Sequence, residues 1–183
     1  MNEEIQITNE VHLFTSEEKI KWLGYGEWVE ELDVVKFTYK GIECRINRIV
    51  VQEPYTKELH VFGGHLCGYV RIPAEHPYHH KRYEEMEIDC HYGLTYGEVE
   101  DGEVEDGHWI GFDCGHLGDY VPSMEYLKKT NPTFQVWKKK EEKIKKLIPN
   151  SPIGDKSYKN INYCIGECKG IVDQLLDMRK KSI

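Results

Sequence analysis

The C-terminal stretch constrains the fold most. Ile161, Cys164, Ile165, Cys168, Ile171, Val172, Leu175 and Leu176 recur at steps of three and four, the spacing that gathers side chains on one face of an α-helix. So wide an apolar stripe needs a broad partner surface, and the preceding residues supply strands. Val34 to Tyr39 is rich in β-branched and aromatic residues, Lys40-Gly41 offers a turn, and Ile42 to Ile49 alternates with period two, which predicts a hairpin. His60 to Ile72 predicts a further strand, interrupted at Gly63-Gly64 and closed by Pro73. Met86 to His91 and His108 to Cys114 predict two more. The expected fold class is α+β: an antiparallel sheet of about five to six strands packed by the C-terminal amphipathic helix, with additional short helices.

The length predicts a single domain over residues 1–183. Thr15-Ser16-Glu17-Glu18 has the spacing of a capping box, opening an N-terminal helix over about 15–25 that turns Ile20 and Leu23 inward and stops at Gly24-Tyr25-Gly26. A β-rich core follows over about 34–120, with a loop at 73–83, and C-terminal helices are expected at about 134–148 and 158–179. No stretch approaches the roughly 18 consecutive apolar residues of a membrane span, and Met1-Asn2-Glu3-Glu4 has no signal-peptide character. These features predict a cytoplasmic protein without a membrane partner. Cys44, Cys67, Cys90, Cys114, Cys164 and Cys168 form no C-x-x-C pair and sit in hydrophobic stretches, the pattern of buried thiols.

The net charge of −8 hides a polarity: residues 81–125 carry 13 acidic against 2 basic side chains, whereas 126–183 carry 14 basic against 6 acidic. Two solvated faces account for this, and a homo-oligomer is compatible with it. Nucleic acid is not an expected partner, because the Lys-rich Trp137–Lys146 segment is narrow and outweighed by acid elsewhere. Glu98 to Gly102 is repeated as Glu103 to Gly107, which predicts a solvated hairpin tip and lacks the ligand spacing of a calcium loop.

Reactive side chains concentrate between His65 and Asp119. Strand alternation places His65, Cys67 and Tyr69 on one face, and Asp89 with His91 on one face. Asp113 and His116 would diverge on a straight strand, but Gly115 permits a turn that brings them together. Two chemistries suit this inventory. A polar ligand would meet a collar and ring set of His65, Tyr69, Arg71, Asp89, His91, Thr95, Trp109, Phe112, Asp113, His116 and Asp119, with Tyr92 as a further flat face. Alternatively Asp89, His91, His116 and Asp119 would hold a divalent metal that acidifies bound water. The bland alternative is that His and Asp in Gly-rich turns only satisfy backbone groups. A Cys67 or Cys114 nucleophile ranks lower, since His65 and His116 stand two residues away along the chain.

Gly64-His65-Leu66-Cys67-Gly68-Tyr69-Val70, then His91-Tyr92-Gly93-Leu94-Thr95, and Gly111-Phe112-Asp113-Cys114-Gly115-His116-Leu117-Gly118-Asp119 resemble a motif series in a family of small bacteriophage and prophage proteins of unassigned function. The resemblance extends weakly to Gly26-Glu27-Trp28, Gly41-Ile42-Glu43-Cys44 and the tail from Tyr158 to Leu175; Cys90 and Tyr92 depart from the Val and Gly expected there, and the 98–107 loop is expanded. It implies a phage setting, in an infected or lysogenic bacterial host cell, and no particular reaction. The leading expectation is a phage-encoded small-molecule-binding protein, a counter-defence protein that sequesters a nucleotide-derived immune signal and requires no cofactor. Arg45, Arg48, Arg71, Lys81 and Arg82 are the candidate cations for such an anion. The alternatives are a metal-dependent hydrolase of phosphodiesterase or nuclease type using the Asp/His cluster, and a protein-binding inhibitor using the acidic loop.

Overall fold

Why the chain folds as it does is clearest at the sheet. The computed structural model describes residues 5–53, 60–97, 108–148 and 156–181. Strands β1 (Gln6–Val11), β2 (Val34–Tyr39), β3 (Ile42–Glu53), β4 (His60–Ile72), β5 (Tyr96–Gly97) and β6 (His108–Asp113) form one sheet in the order β1-β2-β3-β4-β6-β5. Every neighbouring pair is antiparallel. Helices α1 (Ser16–Leu23), α2 (Pro122–Thr130), α3 (Pro132–Leu147) and α4 (Ile161–Lys181) complete the α+β architecture. No helix among the described residues is long and apolar enough to cross a membrane.

The period-two residues of four strands meet the helical stripe of α4. Val35, Phe37 and Tyr39 on β2, Cys44 and Ile46 on β3, Leu66 and Val70 on β4, and Ile110 and Phe112 on β6 share one core with Cys164, Cys168, Ile171, Val172 and Leu175. The last five are fully buried, and each of the branched side chains among them contributes roughly 1.5–3 kcal/mol by leaving water. The cysteine expectation holds in this core: five of the six are buried and Cys90 is half-buried.

Local signals act as expected in several places. Thr15 accepts from the Glu18 N–H at 3.2 Å while Glu18 accepts from the Thr15 N–H at 2.9 Å, closing the capping box, and Gly24 ends α1 at φ 73°. The β3–β4 register shifts between Arg48 and Val50, opposite Gly63 at φ 99°, where a Cβ would stand 2.3 Å from the Ile49 carbonyl oxygen. Only glycine fits that approach.

Behind α1 the buried Asp33 gathers five donors, four of them on its carboxylate. It accepts from the Leu13 and Phe14 N–H groups at 2.9 and 3.1 Å, from the Arg48 N–H at 2.7 Å through its side-chain Nε, and from Lys19 at 2.9 Å, while the Arg48 backbone N–H donates to the Asp33 carbonyl at 2.7 Å. The Lys19 and Arg48 side chains have no exposure, and Glu31, 3.1 Å from Arg48 Nη2, supplies the second negative charge, so this charge set is internally compensated, as burial demands.

The expected strand at Met86 to His91 is not a strand. Met86 and Ile88 point inward and Glu87 outward, but the backbone partners come from a helix: Gln174 accepts from the Asp89 N–H at 2.8 Å and donates to its carbonyl at 2.7 Å, and Glu167 accepts from the His91 N–H at 2.8 Å. The segment therefore lies along α4 instead of in the sheet. The 73–83 loop is tied to the same helix, with the buried His76 Nε2 2.9 Å from the Leu175 carbonyl. The 98–107 repeat lies outside the described residues.

Candidate functional site

The end of β6 brings the Asp/His turns together. Gly115 turns the chain after Asp113, whose Oδ1 accepts from the Gly115 N–H at 2.8 Å. A Cβ at Gly115 would lie 3.1 Å from both Asp113 Oδ1 and His65 Nε2, so the missing side chain lets β4 present His65 to this turn. His116 follows, with Nδ1 3.6 Å from Asp113 Oδ1 and 3.5 Å from Asp119 Oδ2. Asp119 Oδ2 also accepts from the His116 N–H at 3.0 Å. The expectation that Gly115 unites Asp113 and His116 is met.

His91 arrives from the segment along α4. Tyr92 and Gly93 take positive φ, 53° and 89°, in a turn closed by the Gly93 N–H on the Cys90 carbonyl at 2.9 Å. That turn sets His91 Nε2 2.9 Å from Asp119 Oδ2 and His91 Nδ1 2.9 Å from the Tyr163 hydroxyl. Tyr92 stacks on His116 with centroids 4.7 Å apart at 18°. One ligand atom each from His91, His116 and Asp119 fall within 4.8 Å of one another.

Several polar atoms of this cluster are buried without a hydrogen-bond partner: Asp119 Oδ1, His116 Nδ1 and His65 Nδ1. Such groups are costly and call for a partner. The proton count sharpens the point. Tyr163 has one hydroxyl proton and hydrogen-bonds Glu167 as well as His91. When that proton goes to Glu167, His91 Nδ1–H must donate to Tyr163, and a neutral ring then points its Nε2 lone pair at the Asp119 carboxylate. A cation between them, or a second ring proton on Nε2, resolves the clash of two acceptors.

The surrounding charges fit the same picture. Burial works to raise the Asp113 carboxyl, but the Gly115 N–H, the Thr95 hydroxyl and the nearby His116 and His65 outweigh it and hold it below the usual value. Burial lowers His65, opposed by Asp113 and Asp119, which favours the neutral, metal-ligating form of an imidazole. Burial pushes the Cys67 thiol up to about 12, with Asp113 adding to it. Cys114 is raised as well, first by its hydrogen bond with Cys164 and then by burial. Protonated thiols are poor nucleophiles.

The eleven sequence-predicted ligand residues divide into groups. His65, His91, Asp113, His116 and Asp119 converge, and Thr95 joins them through Asp113. Phe112 is core, 1% exposed, with its ring 6.4 Å from that of His91. Tyr69, Arg71 and Trp109 stand farther along the strands, on the sheet face that α4 does not cover: Arg45 lies over the Tyr69 and Trp109 rings at 5.0 and 5.2 Å, and Arg71 pairs with Glu43 at 3.0 Å. Asp89 is exposed and takes no part in the three-residue group. The reason is the turn closed by Cys90 and Gly93, which takes His91 out of the alternation that Met86 to Asp89 keep, so Asp89 and His91 do not share a face.

Two participants escaped sequence reasoning, Tyr163 and Glu167. They sit four apart on α4 beside the apolar stripe, and that i, i+4 spacing was the available signal. Also unforeseen is a cavity of about 390 Å³ that opens from His116 and Asp119. Leu117, Val121, Met124, Phe134 and Trp137 supply its apolar wall, and Glu125, Lys128, Glu141 and Lys156 line it too. Lys128 contacts Glu125 and Glu141 at 2.8 and 2.7 Å, and Lys156 contacts the same two at 3.2 and 3.1 Å. Comparison with known proteins finds no matching family profile, curated protein or solved structure, and the function must be read from the site's own residues.

Proposed function

We propose that this chain is a metal-dependent hydrolase whose divalent ion is held by His91 Nε2, His116 Nδ1 and the Asp119 carboxylate. The observation that carries the reading is the approach of one ligand atom from each of these residues to within 4.8 Å, with His91 Nε2 and His116 Nδ1 2.9 and 3.5 Å from Asp119 Oδ2 and with Asp119 Oδ1 and His116 Nδ1 buried and without a hydrogen bond. Two imidazoles and one carboxylate suit zinc, manganese or iron. When bound, such an ion supplies a Lewis acid and lowers the pKa of a coordinated water.

The chain's own residues do the rest. Tyr163 and Glu167 fix the His91 ring, the role that hydrogen-bonded neighbours play around metal ligands. Asp113 and His65 stand beside the centre as groups able to take or return a proton. The adjoining cavity holds the substrate and limits water. Elemental analysis of purified protein tests this directly: about one transition-metal ion per chain is expected, lost in His91→Ala and His116→Ala. Wild-type protein that neither retains nor takes up zinc or manganese would overturn it.

A second reading has an observation in its favour. The Phe134 and Trp137 rings in the cavity wall suit a ring-bearing ligand bound without turnover, and in the phage setting implied by the motif series this becomes sequestration of a nucleotide-derived immune signal. Incubation of the metal-loaded protein with cyclic oligonucleotides separates the two: intact ligand recovered from a tight complex favours sequestration, and cleavage favours the hydrolase.

A further inference from the structure

We infer that the cavity beside the metal centre selects an uncharged, ring-bearing carboxylic ester or amide over a phosphodiester. This rests on the hydrolase reading and narrows its substrate class.

Charge carries the argument. A phosphodiester is an anion and needs cations that are not already spent. Lys128 and Lys156 are the cations lining the cavity, and each contacts both Glu125 and Glu141, so two positive charges meet two negative ones at the wall. Asp119, and Asp113 just outside, add further negative charge. Arg45 and Arg71 stand farther along the strands, where one covers aromatic rings and the other pairs with Glu43. With the divalent ion set against Asp119 and Asp113, the charges at the cavity balance, which leaves no positive excess to draw a phosphate chain and tolerates a neutral group.

Shape and wall chemistry agree. At about 390 Å³ the cavity sits near the lower end of small-molecule sites, too small for a polymer segment. Leu117, Val121, Met124, Phe134 and Trp137 offer an apolar lining to a ring, while His116 and Asp119 mark the end where chemistry would occur. Hydrolysis of such a substrate breaks the acyl C–O or C–N bond. The water oxygen joins the acyl carbon, and one water proton leaves with the alcohol or amine.

The test uses full-length protein, with and without one equivalent of zinc, and follows the Met124 methyl signal by NMR. Acetophenone serves as a neutral ring probe against phenyl phosphate and AMP. Acetophenone is expected to shift Met124 in both forms, and Trp137→Ala is expected to weaken it roughly two- to tenfold. Val121→Phe, which fills the wall, is expected to abolish the shift while zinc stoichiometry stays unchanged. Zinc-loaded protein is expected to hydrolyse phenyl acetate with a preference of at least about tenfold over bis(p-nitrophenyl) phosphate. Preference for phenyl phosphate or AMP, or no Met124 shift with any probe, would overturn the inference even where zinc still binds. Failure of zinc to bind, measured in the same samples by calorimetry, would instead overturn the metal reading, with the metal-free titration still deciding the cavity's ligand class.

Discussion

Replacing Tyr163 by Phe removes a single hydroxyl from behind the metal centre. That hydroxyl stands 2.9 Å from His91 Nδ1, while the ring packs edge-on to His91 with centroids 5.5 Å apart at 85°. Phe keeps the ring contact, so the packing cost is small and the global stability loss should be about 1–3 kcal/mol, the worth of the hydrogen bonds to His91 and Glu167. Metal binding should weaken as well. Without its partner, His91 loses the bond that fixes its tautomer and aims Nε2 at Asp119, and losses of this kind weaken metal affinity by about 10- to 100-fold, or roughly 1.4–2.7 kcal/mol. Competition for zinc against a chromophoric chelator measures the affinity, and thermal melts of the metal-free protein measure stability. Affinity within about twofold of wild type would refute the account of Tyr163 as the group that positions His91. A collapse of stability with unchanged affinity would assign Tyr163 to the core alone.

Other outcomes follow from the fold. Asp33→Ala removes the carboxylate shared by the Lys19 and Arg48 side chains, both without exposure, and should cost about 3–5 kcal/mol in urea unfolding; a loss below about 1 kcal/mol would show the network to be dispensable. Gly63→Ala forces φ 99° on a residue with a Cβ that meets the Ile49 carbonyl oxygen, and should cost about 1–3 kcal/mol or more; an unchanged melting temperature would contradict the strained register. Burial, then His79 and His80, lowers the His108 imidazole below its usual 6.5, so the unfolded chain binds a proton that the folded chain resists. Its contribution is therefore present in full above that value and is lost as pH falls below 6.5 toward the folded value. Thermal melts from about pH 7.5 to about 5.5 should fall more steeply for wild type than for His108→Gln, and parallel curves would refute the assignment.

Local signals in the sequence were legible where neighbours along the chain decide the structure. The Thr15–Glu18 capping box, the 34–49 hairpin, the His60–Ile72 strand and the α4 stripe each depend on short-range spacing. What failed depends on partners far away. Met86 to His91 carries strand-like alternation, yet its hydrogen bonds go to Gln174 and Glu167, 85 and 76 residues on. Strand β1 shows five exposed positions in six and so has no apolar period to read. Helix α2 is one short polar run opened by Pro122, and Lys19 counts as a surface residue until Asp33 and the Glu31 carbonyl enclose its ammonium. The candidate site followed the same rule. Asp113, His116 and Asp119 lie within seven residues and Gly115 announces their turn, whereas the exclusion of Asp89 and the support from Tyr163 are tertiary facts.

The central claim is a metal ion at the end of β6, and the most direct measurement is anomalous diffraction at the zinc edge from crystals of zinc-loaded protein. The account predicts one peak bonded to His91 Nε2, His116 Nδ1 and the Asp119 carboxylate, at roughly 2.0–2.2 Å from each. No peak there, or a peak confined to His79, His80 and His108, would contradict it.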